Sequence, residues 1–111
     1  PDNMVWISDQ SKNNLQKRNT AGELIVNIDL PTILQSSSAS PAQVCLDKHQ
    51  NVWVALQNSS AIASFNKEGV YLDATNNINS TFDGNRIVYG IATDSSDNIW
   101  TISKQNLSGQ L

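Results

Sequence analysis

Cysteine is nearly absent: Cys45 is the only one. That excludes an internal disulfide framework and any cysteine-based zinc site. Charge is sparse, at 15% of residues, and 7 Lys+Arg against 10 Asp+Glu leave a net charge of −3. Such a chain has no basic footprint for nucleic acid and no attraction to anionic lipid. No apolar run reaches the length of a membrane span, and no leader sequence is recognisable. Histidine occurs once, as His49, so acid–base chemistry has a single obvious candidate. Amides and hydroxyls stand in for charge, with 14 Asn and 14 Ser among 111 residues, 39% of which are hydrophobic. That is the length of one domain, enough to bury a core.

The tryptophans supply the organising signal. Trp6, Trp53 and Trp100 are spaced 47 residues apart, and the same shift superposes Val5 on Val52, Gln10 on Gln57, Asn19 on Asn66, Gly22 on Gly69, Asp47 on Asp94 and Asn51 on Asn98. Identity is low, 8 of 64 superposed pairs. The matches nevertheless fall where strands pack or turns begin, so the period is a structural repeat.

Each repeat reads as β, with no stretch of helical periodicity. The complete one has apolar or β-branched runs at Ala42–Asp47, Asn51–Leu56, Ala61–Asn66 and Val70–Ala74, separated by polar turns. The third repeat copies its opening at Tyr89–Asp94 and Asn98–Ser103. The first supplies the middle and end at Met4–Ser8, Leu15–Asn19 and Glu23–Asp29. A four-stranded antiparallel meander on this period predicts an all-β fold, a segment of a β-propeller. One twisted meander cannot bury both faces; stacking blades around an axis covers each sheet with its neighbours. The recurring Trp on the second strand then acts as a wedge between sheets. A β-sandwich gives no reason for three Trp at one phase.

The segments VCLDKHQNVWVALQNSSAIASFNKEG and GIATDSSDNIWTIS resemble blades of NHL-type, streptogramin-lyase-like and two-component-regulator-type propellers. The shared pattern is Gly-Ile-Ala-x-Asp-x-x-Gly-Asn-x-Trp-Val followed by Phe-x-x-x-Gly. Gln50 and Asp97 stand where that pattern has Gly, and both can take the left-handed turn at some cost. The expected division is a partial blade over residues 1–40, a complete blade over 41–87 and the start of a third over 88–111. About 2.4 repeats do not close a ring of 4–8 blades, so further blades, of the same or neighbouring chains, are the expected partners.

Most candidate site residues have an ordinary structural role as alternative. Asp47 and Asp94 are one acid per turn, too few for a protein-built calcium site; accepting turn N–H groups suits them better. His49 falls in a turn between first and second strands, away from the loops that usually carry a propeller's site. Cys45 alternates on an innermost strand as a small hydrophobe. Lys12, Lys17 and Arg18 read as a solvated edge. The long links Leu30–Ser40 and Asn76–Ile87 face the ligand side; the first reads as a solvated connection. The second reads either as a solvated connection or, with Gln57, Phe82, Asp83, Arg86 and Tyr89, as a polar, aromatic-flanked surface for carbohydrate or protein. Three Asn-x-Ser/Thr sites, at Asn58, Asn79 and Asn106, are what this composition yields by chance. No cofactor or metal is indicated.

The leading functional expectation is a non-enzymatic binding or structural scaffold, part of a larger extracellular, cell-surface or virion (phage tail-like) protein. The resemblance also implies two alternatives. One is a lyase- or lactonase-type enzyme whose metal site is completed by other blades; the other is a periplasmic sensor propeller.

Overall fold

The computed structural model describes residues 3–34, 40–57, 61–76 and 86–105. They form three antiparallel sheets, each a meander in chain order. The first contains β1 (Val5–Asp9), β2 (Asn14–Arg18) and β3 (Leu24–Asp29). A helix, α1 (Leu30–Leu34), follows. The second sheet contains β4 (Pro41–Leu46), β5 (Val52–Leu56), β6 (Ala61–Phe65) and β7 (Tyr71–Asn76); the third contains β8 (Arg86–Thr93) and β9 (Ile99–Gln105).

The repeat is visible in the irregularities as well as in the strands. Pairing of β2 with β3 slips between Lys17 and Arg18, and pairing of β6 with β7 slips between Ser64 and Phe65, 47 residues later. Likewise β4 and β5 slip between Pro41 and Val44, and β8 and β9 between Val88 and Gly90. A bulge increases local twist, so its recurrence gives successive blades the same curl.

Strand alternation sends one face of each sheet to the preceding blade and the other to the following one. Between the first two sheets, Leu15, Ile28 and Leu30 pack against Val52, Val54 and Phe65, with Trp6 half-buried at the margin. Between the second and third, Ala55 and Ile62 pack against Val88 and Ile91, with Trp53 and Cys45 at the margin. Two of the three Trp therefore do sit at sheet–sheet junctions. Trp100 is exposed, because no described sheet lies beyond it.

Two expectations need correction. The link after β3 is not simply solvated: its first residue, Leu30, is fully buried, and Leu30–Leu34 is helical. Asp29 accepts a hydrogen bond from Thr32 Oγ1 at the helix start, and Pro31 suits a first turn. Five residues are too few to show a helical period. Lys17 is likewise not on a solvated edge. Alternation along β2 turns it, like Leu15, toward the second sheet; it is buried there, 5.7 Å from the Trp6 ring centroid, and its Nζ donates to the Lys67 carbonyl at 2.7 Å.

Candidate functional site

The sheets have two ends, and they differ in chemistry. At the lower end lie the turns β2–β3, β4–β5, β6–β7 and β8–β9, all built on one plan. In the turn after β4, Asp47 Oδ1 accepts the backbone N–H groups of His49 (2.9 Å) and Asn51 (3.0 Å). Its Oδ2 accepts Asn51 Nδ2 (3.1 Å) and the Trp53 indole Nε1 (3.0 Å). Asp94 repeats this with Ser96 and Asn98 N–H, Asn98 Nδ2 and Trp100 Nε1, each at 2.9 Å. Gln50 and Asp97 occupy the left-handed region at φ 64° and 62°. The other two turns substitute Asn19 and Asn66 as acceptors, with Gly22 and Gly69 at φ 84° and 89°.

These contacts set the electrostatics. Donation from the Trp100 indole, then from Asn98, holds the Asp94 carboxyl far below the usual carboxylate range. For Asp47, burial pushes upward, but donation from Trp53 and Asn51 outweighs it and the carboxyl is again lowered. Each acid is thus saturated with N–H donors, the turn role expected for it. The carboxylate–indole bond, which fixes the Trp ring, is the part that turn reasoning missed; its signal was the constant Asp-to-Trp spacing of six residues.

His49 extends from the lower end, its side chain 72% exposed, with Nε2 3.9 Å from Asp97 Oδ2 of the next blade. Cys45 is half-buried, and burial reinforced by Asp47 pushes its thiol up to about 11. A thiol so raised is a poor nucleophile at neutral pH.

The upper end carries the turn β1–β2, the β5–β6 connection and the link from β3 to β4. Asn13, left-handed at φ 53°, is the node. Its carbonyl accepts from Leu30 N (3.1 Å) and its side-chain Oδ1 accepts from Ser40 N (2.8 Å), so both ends of the long link are pinned to one turn residue. The Ser40 carbonyl accepts from Gln57 N (2.9 Å). The Gln57 side chain is hydrogen bonded to that of Gln10, its counterpart one repeat earlier. The relay Leu30–Asn13–Ser40–Gln57–Gln10 thereby joins two blades along a rim of amides and hydroxyls. Beside it, Asp9 Oδ1 accepts from Ser11 Oγ (2.8 Å) and Lys12 N (3.2 Å), and these bonds lower its carboxyl.

Gln57 is therefore part of the upper rim. Arg86 begins β8, opposite Gln105, and Tyr89 lies at the β8 register shift. Phe82 and Asp83 lie outside the described residues. Gln10, Asn13 and Ser40 join the rim without having been singled out. The Gln10–Gln57 match was a usable signal; the left-handed Asn13 was not, since Asn adopts that conformation in many settings. Among the described residues no group of three or more His, Cys, Asp or Glu is placed to hold a metal, and no helix is long and apolar enough to cross a membrane.

No known family model matches the chain, and no curated protein sequence matches it. Solved structures do. Virginiamycin B lyase from Staphylococcus aureus superposes with a TM-score of 0.73 at 18% identity, over 92% of this chain and 31% of that one. Catalytically inactive virginiamycin B lyase from the same organism, with quinupristin, gives 0.75 at 18% over 93% and 32%. A streptogramin B lyase gives 0.71 at 15% over 88% and 30%. The chain spans about a third of the length of these structures. Likeness at this identity establishes the fold: these residues are a β-propeller segment resembling the streptogramin-lyase propellers.

Proposed function

We propose that this segment belongs to a propeller that binds rather than transforms its ligand, with the upper rim as the recognising surface. The observation that carries the reading is the relay from Leu30 to Gln10, which ties the ends of two blades' upper connections together. Pre-positioned amides and hydroxyls suit neutral, hydroxyl-rich ligands, so carbohydrate is the first ligand class and an extended protein segment the second. The division into blades at residues 1–40, 41–87 and 88–111 belongs to this reading, with further blades of the same or neighbouring chains completing the surface. So does an extracellular, cell-surface or virion setting, which the Asn/Ser-rich, acidic composition supports. Binding to an immobilised glycan panel tests it. Gln57→Ala should weaken capture several-fold while leaving the circular-dichroism spectrum unchanged. Capture insensitive to Gln57→Ala and Gln10→Ala, or none of either ligand class, would overturn the rim assignment.

A second reading is favoured by the superposition on streptogramin B lyases. In it the segment is a third of a lyase-type enzyme, whose reacting groups come from blades outside these residues. Incubating a polypeptide that carries the further blades with quinupristin and a divalent metal, and following quinupristin by mass spectrometry, separates the two. Turnover replaces the binding reading; intact quinupristin retains it.

A further inference from the structure

We infer, on the strength of the binding role proposed for the upper rim, that the paired amides of Gln10 and Gln57 form a subsite for an acetamido group. The glycan that the rim selects is then one built on N-acetylated amino sugars.

Gln10 and Gln57 occupy the same place in successive repeats, and their side chains meet across the blade boundary, Gln10 Nε2 donating to Gln57 Oε1. A primary amide has two N–H donors on one atom and its acceptor on another, so this bond sets the polarity of both side chains. Gln10 keeps Oε1 as an acceptor and Gln57 keeps Nε2 as a donor; neither meets another partner among the described residues. Ligand can reach them, since Gln10 is exposed and Gln57 half-buried. Gln57 is further held through its backbone, whose N–H donates to the Ser40 carbonyl at 2.9 Å. The seam of the two blades therefore offers one oriented acceptor beside one oriented donor.

A secondary amide is the complementary group. Its N–H suits Gln10 Oε1, and its carbonyl suits Gln57 Nε2. A hydroxyl can replace either contact, but it carries donor and acceptor on a single atom and gains less from a pair whose polarity is set. Hydroxyls are provided for alongside. Asp9 takes both of its hydrogen bonds on Oδ1, which leaves Oδ2 as an acceptor. Asn13 Nδ2 has no partner among the described residues. An N-acetylated sugar brings one amide and several hydroxyls to the same place. An extended peptide also carries secondary amides, but pockets for its alternate side chains give such binding its specificity. Residues 9–13, 40 and 57 include no apolar side chain to line one.

The test titrates the protein, by calorimetry, with a fully N-acetylated chitin trisaccharide and with the cellulose trisaccharide. The second has the same linkage and a hydroxyl in place of each acetamido group. The N-acetylated sugar should bind about tenfold more tightly, the difference expected from one well-placed hydrogen bond. Gln57→Glu keeps an acceptor for Gln10 and exchanges the free donor for a second acceptor. In that variant the preference should vanish while the circular-dichroism spectrum is unchanged. Equal affinity of the two sugars for the unaltered protein, with both weakened by Gln57→Ala, would overturn the acetamido assignment and leave the rim reading standing. A preference that survives Gln57→Glu would overturn it as well. Binding of neither sugar would overturn it too, and the carbohydrate reading of the rim falls with it if no other glycan is captured.

Discussion

Val52 and Val54 in the middle sheet are fully buried, yet Val5 and Ile7, their counterparts one repeat earlier, are 52% and 41% exposed. The opposite flank shows the same contrast: Ala55 is fully buried, while Ile102, one repeat later, is 63% exposed, as is Trp100 beside it. These residues share a strand position, a side-chain direction and a turn geometry. What differs is whether another sheet lies against them. In a stacked repeat, burial is a property of the interface and not of the residue, so equal substitutions should cost unequal amounts in different blades.

Trp53→Ala should show this most strongly. It removes the half-buried wedge against the third sheet together with the bond to Asp47, and should cost about 2–4 kcal/mol in chemical denaturation. Trp100→Ala loses mainly the solvent-exposed bond to Asp94 and should cost clearly less. Equal costs would mean that the outer face of the third sheet is covered in solution.

Gly69 and Gly22 make the next pair. Both lie in the left-handed region, but a Cβ on Gly69 would sit 2.6 Å from Val26 Cγ1 of the first sheet, whereas one on Gly22 meets nothing within 4 Å. Gly22→Ala should cost about 1–2 kcal/mol for the backbone alone. Gly69→Ala should cost about 2–4, overpacking being added. Gln50→Gly should run the other way, relieving the left-handed conformation and stabilising by up to about 1 kcal/mol once glycine's entropy is counted. Asp97→Gly should gain less, because Asp97 Oδ1 also accepts Lys48 N at 3.0 Å.

Acid should act on the turns of the second and third sheets together. Asp47 and Asp94 are both lowered in the folded chain, and an unfolded aspartate titrates near pH 3.9, to a rough approximation. Their stabilisation is therefore complete above that range and fades as pH falls through the lower folded values. Denaturation midpoints at pH 6 and pH 3 should differ less in an Asp94→Asn chain. His49→Ala should do least, within about 0.5 kcal/mol, as exposed positions generally do.

Much of this was legible in the sequence because it is local. Strand runs, the Trp phase and the left-handed positions Gln50 and Asp97 depend on neighbours within a few residues. The Leu30–Leu34 helix was not legible, being too short to show a period. Nor was the burial of Lys17, which depends on Trp6 and Lys67 meeting across a sheet boundary. At the candidate site, Gln57 was visible through its repeat partner. Asn13 and Ser40 were not, because their role is to accept and donate through the backbone of distant segments.

The sequence by itself determined the repeat, the strand order within each blade and the turn chemistry that ends them, since period, β-propensity and Asx acceptors act over short distances. Only the tertiary structure decided which copy of each repeated residue is buried, how aspartate locks the indole, and how Gln10 meets Gln57. Those outcomes require surfaces separated by a whole repeat to come into contact, and a single residue's chemistry carries no record of what will be packed against it.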